Sequence, residues 1–193
     1  MINGHDAIHA QLKQAEWPNA NKMKNVNERY VEELYYRADE LLNMGEIAEA
    51  KEVLHDVLLE DPLHALAHNA LGWIYTHHLL NYDLAEKHLK LSMKHGNGVV
   101  VAYSNYAYLL FHTSRYHVVR DFVDSSLVVP GVDEAYLLQL KALTYEVEGR
   151  YIKALGILKK AKRHAFAEDF VNRLNADVSR INLKMRTTSI FMW

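Results

Sequence analysis

The fold is decided by residues 34–62, LYYRADELLNMGEIAEAKEVLHDVLLEDP, which form the pattern of two short amphipathic helices around one turn. Apolar residues recur three or four places apart on both sides of Gly45, as one face of an α-helix requires. The small residues Ala38 and Ala50 leave room for a second helix to come close, and Pro62 ends the segment. Neither helix is long enough to be stable alone in water, so the two must pack on each other and on neighbours.

The same pattern recurs about every 34 residues. Four copies are predicted, at residues 31–64, 65–98, 100–132 and 135–165. The small residue at the close approach of the paired helices is, in successive copies, Ala38, Gly72, Ala107 and Ala142. The second copy carries one extra residue in its turn, around residues 78–81.

Three segments lie outside the repeats. Residues 1–27 are predicted to be an N-terminal extension, with a short helix over 7–17 and a polar linker over 19–27. Residues 166–186 carry apolar side chains at helical spacing and are predicted to cap the last repeat. The final segment, 187–193, is an apolar tail that either folds back on the cap helix or docks on a partner or a second copy. Its candidate interface residues are Ile190, Phe191, Met192 and Trp193.

The composition is that of a globular chain, with 50% hydrophobic and 24% charged residues among 193. The absence of cysteine excludes a disulfide framework and cysteine-based zinc sites, and it is compatible with a reducing compartment. We see no signal peptide and no apolar run long enough to span a bilayer. We therefore expect a soluble, cytoplasmic protein.

Charge is distributed unevenly along the chain. Residues 28–62 hold 11 acidic and 3 basic side chains, a net charge of −8. Residues 150–186 hold 3 acidic and 10 basic side chains, a net charge of +7. Two solvated faces explain this pattern. The alternatives are a basic region that attracts an acidic partner, or head-to-tail contact between copies of the chain.

The repeated unit resembles the tetratricopeptide repeat, a 34-residue helix-turn-helix with small residues at fixed places, a glycine near the turn and a closing proline. The first and fourth copies match best. The second departs through its extra residue, and the third has Val119 where the family usually has alanine. The resemblance implies an all-α, right-handed α-solenoid of about four such repeats with a C-terminal capping helix. It also implies that the first helix of each repeat lines a concave face.

Aromatic residues are prominent among those that the resemblance places on the concave face. Trp73, Tyr108 and Leu143 occupy equivalent positions in successive repeats and are predicted to form a ladder. Such a row is typical of the anchors in peptide-binding grooves, although neighbouring parts of the same molecule could bury it instead. The candidate partner-binding residues are Tyr35, Asp39, Asn69, Trp73, His77, Tyr108, Phe111, His112, Tyr136, Gln139 and Leu143.

The favoured function is a non-enzymatic adaptor or chaperone-like protein that binds a segment of another protein in this groove. Some tetratricopeptide-repeat proteins hold a C-terminal carboxylate with Lys, Arg and Asn. The matching places here lack the basic residues, because they hold Tyr35, Asp39, Ala70, Val101 and Asn105. The groove is more similar in character and size to that of type III secretion chaperones.

Motifs for catalysis, metals and cofactors are missing from the sequence. There is no glycine-rich phosphate loop, no nucleophile elbow and no His-Glu-x-x-His. Twelve histidines are present, of which His64 and His68 share one face if both are helical. Zinc needs three or four ligands, so two histidines do not predict a site. His77 and His112 lie near the predicted ladder and could make binding sensitive to pH.

Two further functions stay open at this point. One is a nucleic-acid-binding regulator that uses the basic C-terminal region, since phosphate binding needs clustered cations. Its residues are Lys159, Lys160, Lys162, Arg163, Arg173, Arg180, Lys184 and Arg186. The other is a structural subunit that joins a larger complex or a second copy through the apolar tail.

Overall fold

The described part of the chain is built from α-helices. The computed structural model describes the backbone of residues 20–96 and 98–190, and the side chains of 27–96 and 98–187. Within these ranges there are nine helices and no strand. They are α1 Ala20–Met44, α2 Ile47–Glu60, α3 Ala65–His77, α4 Tyr82–His95, α5 Val101–His112, α6 Tyr116–Ser126, α7 Glu134–Val147, α8 Tyr151–His164 and α9 Glu168–Ile190.

The chain divides into two compact units, residues 1–61 and residues 62–193. In the N-terminal unit α1 packs against α2, and the core consists of Val31, Ala38, Ala50, Val53, Leu54 and Val57. In the C-terminal unit the pairs α3–α4, α5–α6 and α7–α8 are hairpins, and α3, α5 and α7 also pack side by side. The four predicted helix-turn-helix repeats are therefore confirmed. No helix in the described ranges is long and apolar enough to cross a membrane.

Small residues allow the paired helices to come close, as predicted. Ala38, Ala107 and Ala142 are fully buried. A Cβ atom added to Gly72 would lie 2.5 Å from Cγ of Leu89 on α4. Because Leu89 is itself fully buried, it has little room to move away.

Each hairpin turns through one residue in the left-handed region of backbone conformation. Two are glycines, Gly45 at φ 83° and Gly149 at φ 72°. The other two are Leu80 at φ 50° and Ser114 at φ 59°. Left-handed geometry is strained for residues that carry a Cβ atom, so two of the four turns are held by packing rather than by local preference.

The extra residue of the second repeat is visible in the hydrogen bond that closes its turn. In three turns the N–H after the left-handed residue donates to the carbonyl five residues earlier; these bonds are Glu46 to Leu41, Arg115 to Leu110 and Arg150 to Tyr145, at 2.8–3.0 Å. In the second repeat Asn81 donates to Tyr75, six residues earlier, at 3.0 Å. This turn is therefore one residue longer.

Both ends of the described chain differ from the prediction. The linker predicted over 19–27 is wrong for residues 20–27, because α1 begins at Ala20. These residues contain neither Gly nor Pro, so the helix that packs in the core can extend back through them. The predicted cap over 166–186 corresponds to α9, which continues to Ile190. The predicted helix over 7–17 and the tail residues Phe191, Met192 and Trp193 lie outside the described residues.

α9 covers the end of the last repeat with apolar and charged contacts. Phe170, Leu174 and Ile181 are buried in one cluster with residues of α7 and α8. Beside this cluster the buried Glu146 of α7 accepts hydrogen bonds from Arg180 on α9. α9 thus packs on α8 and is joined to α7 by side-chain hydrogen bonds.

Two histidines have structural roles that the sequence did not reveal. His64 precedes α3, and its Nδ1 accepts a hydrogen bond from the N–H of Ala67 at 3.1 Å, so it caps the helix. His68 is 4% exposed, with Nε2 3.1 Å from the carbonyl oxygen of Pro62 and Nδ1 2.9 Å from Nδ1 of His88. Because a carbonyl can only accept, a neutral His68 donates from Nε2 and accepts from His88.

Candidate partner-binding site

Six rings gather where α3 and α5 end, and we call them the ring cluster. α3 contributes Trp73 and His77, and α5 contributes Tyr108 and His112. His78 lies in the turn after α3, and Tyr82 begins α4. Because members of each helix are four residues apart, both rings of a helix lie on the same face. α3 and α5 are neighbours, so the two faces meet.

The rings contact one another in a continuous chain. The centroid of the His77 ring lies 5.3 Å from that of Trp73 and 4.9 Å from that of Tyr108, with the latter pair stacked. Tyr108 in turn stacks on His112 at 5.7 Å. Two rings join from the side, His78 at 4.9 Å from Trp73 and Tyr82 edge-on at 5.7 Å from His112. Trp73 and Tyr108 are therefore connected through His77.

The ring cluster is not part of the hydrophobic core. His77, His78 and His112 are exposed, and Trp73, Tyr82 and Tyr108 are half-buried. The core side of α3 is formed by other residues, among them the fully buried Leu71 and Ile74. The longer turn adds apolar surface next to His78, because Leu79 is 49% and Leu80 58% exposed. Aromatic and apolar area remains available here for another molecule.

The central histidine of the ring cluster, His77, is disfavoured from carrying a charge. Burial lowers the pKa of His77, and the neighbouring His78 and His112 lower it further because three positive charges would repel one another. His77 is therefore neutral at pH 7. A surface of stacked rings around this imidazole suits apolar or aromatic side chains of a ligand.

Two asparagine amides lie one turn before the ring cluster. Nδ2 of Asn105 donates to Oδ1 of Asn69 at 2.9 Å, which links α5 to α3. Each amide can form more bonds than this one, because it carries two donor hydrogens and an acceptor oxygen. Both residues are half-buried, so the remaining donors and acceptors can reach the backbone of a bound peptide.

The predicted site residues of the third and fourth repeats are partly engaged inside the protein. Phe111 is half-buried, with its ring 5.6 Å from that of Tyr116 on α6. Nε2 of Gln139 donates to Oδ2 of Asp177 on α9 at 2.6 Å, so its amide already has a partner. Leu143 is half-buried.

Tyr136 continues the aromatic surface beyond the ring cluster. It is half-buried, with its ring 6.5 Å from that of Phe170 on α9. Burial, with a smaller effect of Tyr108, raises the pKa of Tyr136 to about 12, so its hydroxyl keeps its proton. Tyr136 can therefore donate a hydrogen bond to a ligand.

The remaining two predicted site residues, Tyr35 and Asp39, belong to the N-terminal unit. Tyr35 is half-buried beside Tyr36, at a ring distance of 6.2 Å. Burial raises the pKa of Tyr35, and the carboxylates of Asp39 and Glu32 raise it further. Asp39 is exposed and accepts a hydrogen bond from Asn43 at 3.4 Å.

Some of the basic residues proposed for nucleic-acid binding already have partners inside the protein. Arg180 and Lys184 both donate to the buried carboxylate of Glu146. Arg173 lies over the ring of Phe170, 4.7 Å from its centroid. Lys159, Lys160 and Arg163 are exposed on α8.

His78 and Tyr82 were not predicted as site residues. Both lie in or next to the longer turn of the second repeat. The sequence showed the extra residue of this turn, but not where the turn places the two side chains. The histidines of the ring cluster stack rather than converge. In the described ranges no three His, Cys, Asp or Glu side chains form a group that could hold a metal ion.

Comparison with solved structures shows the fold. The chain is similar to the Pseudomonas aeruginosa protein pilF, at a TM-score of 0.71 and 16% identity, over 83% of this chain and 71% of that one. It is also similar to YrrB, described as a tetratricopeptide-repeat protein with an unusual peptide-binding site. The TM-score is 0.58 and the identity 13%, over 82% of this chain and 88% of that one. A third similar structure is a tetratricopeptide-repeat protein from Parabacteroides merdae, with a TM-score of 0.61 and 20% identity over 83% of this chain and 64% of that one.

No protein-family model matches the sequence, and comparison with curated proteins gives no match. The structural similarity nevertheless agrees with the helix-turn-helix repeats, the close approaches at small residues and the absence of strands in the described ranges. The chain therefore has the tetratricopeptide-repeat fold.

Proposed function

We propose that the protein is a non-enzymatic adaptor or chaperone-like protein that binds a segment of another protein on the ring cluster. The observation that carries this proposal is the chain of rings from Trp73 through His77 to Tyr108, which is accessible and is not needed for the core. Aromatic anchors of this kind dominate binding energy in protein interfaces. The peptide-binding site described for YrrB supports a similar use of the fold here.

The chemistry of the surface defines the segment that it fits. Stacked rings with Leu79 and Leu80 nearby favour one or two apolar or aromatic side chains. The amides of Asn69 and Asn105 suit the backbone of an extended peptide. A C-terminal carboxylate is not required, because no Lys or Arg belongs to the ring cluster.

The two alternative functions have weaker support. A nucleic-acid site at the basic region has weaker support from Arg180 and Lys184, because both are already paired with Glu146, and Arg180 also with Asp177. A docking role for the tail depends on residues 190–193, of which Phe191, Met192 and Trp193 lie outside the described residues.

The proposal is tested by selecting peptides from a random display library on the purified full-length protein and measuring their affinity by calorimetry. The Trp73→Ala, Tyr108→Ala double variant should lose binding, since an aromatic anchor contributes about 2–4 kcal/mol or ~30-fold or more in Kd. Circular dichroism must show that helicity is kept.

The matched control is Tyr103→Ala, on the same helix as Tyr108. Tyr103 is also half-buried and stacks on Phe122 at 6.1 Å, but it does not belong to the ring cluster. This variant should bind the selected peptides as the wild type does. Equal affinity of the peptides for wild type and for the Trp73→Ala, Tyr108→Ala variant would disprove the proposal.

A further inference from the structure

A second groove lies on the C-terminal unit, between α6, α7 and α8, away from the ring cluster. Its volume is about 600 Å³. Apolar residues of its wall are Leu127, Leu138, Tyr145 and Ile157. None of the residues discussed for peptide binding lines it. The groove therefore needs an explanation of its own.

The groove carries excess positive charge. Its two acidic residues are already paired, Asp124 with Lys141 and Glu134 with His164. Three exposed cations of α8 line the groove as well: Lys153, Lys160 and Arg163. None of the three has an acidic partner among the residues whose side chains the structure describes. With His164 neutral, the four basic side chains of the lining (Lys141, Lys153, Lys160 and Arg163) outnumber the two acidic ones, so the groove has a net charge of +2 beside an apolar wall.

Gly156 in the middle of α8 also lines this groove. A Cβ atom added there would meet nothing within 4 Å, and the backbone is helical without positive φ. A glycine inside a helix costs about 1 kcal/mol relative to alanine. Packing within the protein does not require glycine at this position. A glycine that no internal contact explains, on the wall of a groove, indicates close approach by another chain.

α2 of the N-terminal unit has the complementary chemistry. Its exposed acidic residues form a stripe along one face, with spacings of three and four: Glu49, Glu52, Asp56 and Glu60. Leu59, beside this stripe, is 79% exposed. The opposite face of α2 is buried through Ala50, Val53, Leu54 and Val57. The stripe on α8 has nearly the same spacing, at Lys153, Gly156, Lys160 and Arg163.

We propose that the groove between α6, α7 and α8 binds α2 of a second copy of this chain. The acidic stripe faces Lys153, Lys160 and Arg163, Leu59 enters the apolar part near Ile157, and Gly156 lets the two helices come close. The two surfaces are different parts of the molecule, so the contact is heterologous and can continue from copy to copy. The proposed contact uses no residue of the ring cluster.

The experiment measures the mass of the full-length protein by light scattering over a range of concentrations and salt. At about 20 mM salt the mass should rise with concentration to about twice the monomer mass or more. At about 500 mM salt it should return to that of the monomer, because salt screens exposed charges. A monomer under all conditions, or a mass that salt does not change, overturns the proposal.

Two pairs of variants locate the contact. Lys160→Glu should abolish association, whereas Lys87→Glu should not, although it changes the net charge equally, because Lys87 is exposed on α4 and does not line the groove. Gly156→Leu should abolish association with every charge in place. Ala176→Leu puts the same side chain at an exposed position of α9 and should have no effect.

An equal effect of Lys160→Glu and Lys87→Glu would show that general charge drives association, and would overturn the proposed contact. Association that survives Gly156→Leu would also overturn the proposed contact. The peptide-binding assay on the ring cluster is independent of these outcomes, since it involves other residues and is read from affinity rather than mass.

Discussion

Glu146 and Arg180 join the last repeat to its cap through a two-bond ion pair. Nε of Arg180 donates to Oε1 of Glu146 at 2.8 Å, and Nη2 donates to Oε2 at 2.7 Å. Lys184 adds a third bond to Oε1 at 2.8 Å. Glu146 is only 5% exposed, so its charge depends on these partners.

Arg180→Ala should destabilise the protein by about 2 kcal/mol, because it leaves Glu146 with Lys184 alone and takes a partner from Asp177. Denaturant unfolding measures this loss. Lys87→Ala is the control; it removes an exposed cation that has no acidic partner among the described side chains, and should change stability little. Equal stability of Arg180→Ala and wild type would show that the pair does not hold α9.

The same pair predicts how stability depends on pH. Hydrogen bonds from Arg180, and then from Lys184, hold the pKa of Glu146 below its ordinary value of 4.5. The stabilisation is therefore complete above pH 4.5 and is lost as pH falls through the depressed pKa. In Arg180→Ala the pKa of Glu146 should rise, and acid unfolding followed by circular dichroism should begin at a higher pH. An unchanged acid transition would contradict this.

Gly72→Ala should cost about 1–3 kcal/mol of stability through overpacking. The added Cβ atom would lie 2.5 Å from Cγ of the buried Leu89. The Gly72→Ala, Leu89→Ala double variant should lose less stability than the two single variants lose together, because Leu89→Ala removes the clashing atoms. Thermal and urea unfolding of all four proteins give the coupling energy. Strict additivity would show that the helices do not meet at this contact.

Leu80→Gly should stabilise the protein by about 1 kcal/mol, because leucine at φ 50° is strained and glycine is not. The side chain is 58% exposed, so little packing is lost. Leu80→Ala keeps a Cβ atom in the same backbone geometry and is the matched control, for which we expect almost no gain. If both variants unfold at the same urea concentration, backbone strain at Leu80 is negligible.

The pKa of His77 should be below 6.5 in the folded protein, because burial and the nearby His78 and His112 disfavour its charged form. Because the pKa of His77 is lower in the folded than in the unfolded protein, its contribution to the free energy of unfolding is fully present above pH 6.5. That contribution is lost as pH falls through the pKa of the folded protein. NMR titration of the imidazole protons measures this directly. His112→Gln removes one like charge and should raise the pKa of His77; a lower value would contradict the arrangement.

Much of the fold could be predicted because it depends on local spacing. Small residues at Gly72 and Ala107 and apolar residues at helical intervals recur wherever two helices meet, so the repeats can be read from the sequence. The start of α1 could not be predicted from the sequence, because residues 20–27 contain three asparagines, which are weak helix formers. Packing of the rest of α1 extends the helix through them.

The candidate site was predicted only in part, because it depends on how neighbouring helices align. Trp73 and Tyr108 followed from their places in the repeat, but the sequence did not place His77 between them. Nor could it show that Gln139 and Glu146 are bonded to α9, since that depends on the position of the cap helix along α7. These contacts are tertiary, and periodicity carries no information about them.

The most direct test of the central claim is NMR mapping of a selected peptide on the ¹⁵N-labelled protein. The account predicts that the largest shifts occur at the indole N–H of Trp73 and at backbone amides near His77, Leu80 and Tyr108. Amides of α8 near Gly156 should stay unchanged. Saturable shifts confined to the groove between α6, α7 and α8, or to the N-terminal unit, with the ring cluster undisturbed, would contradict it.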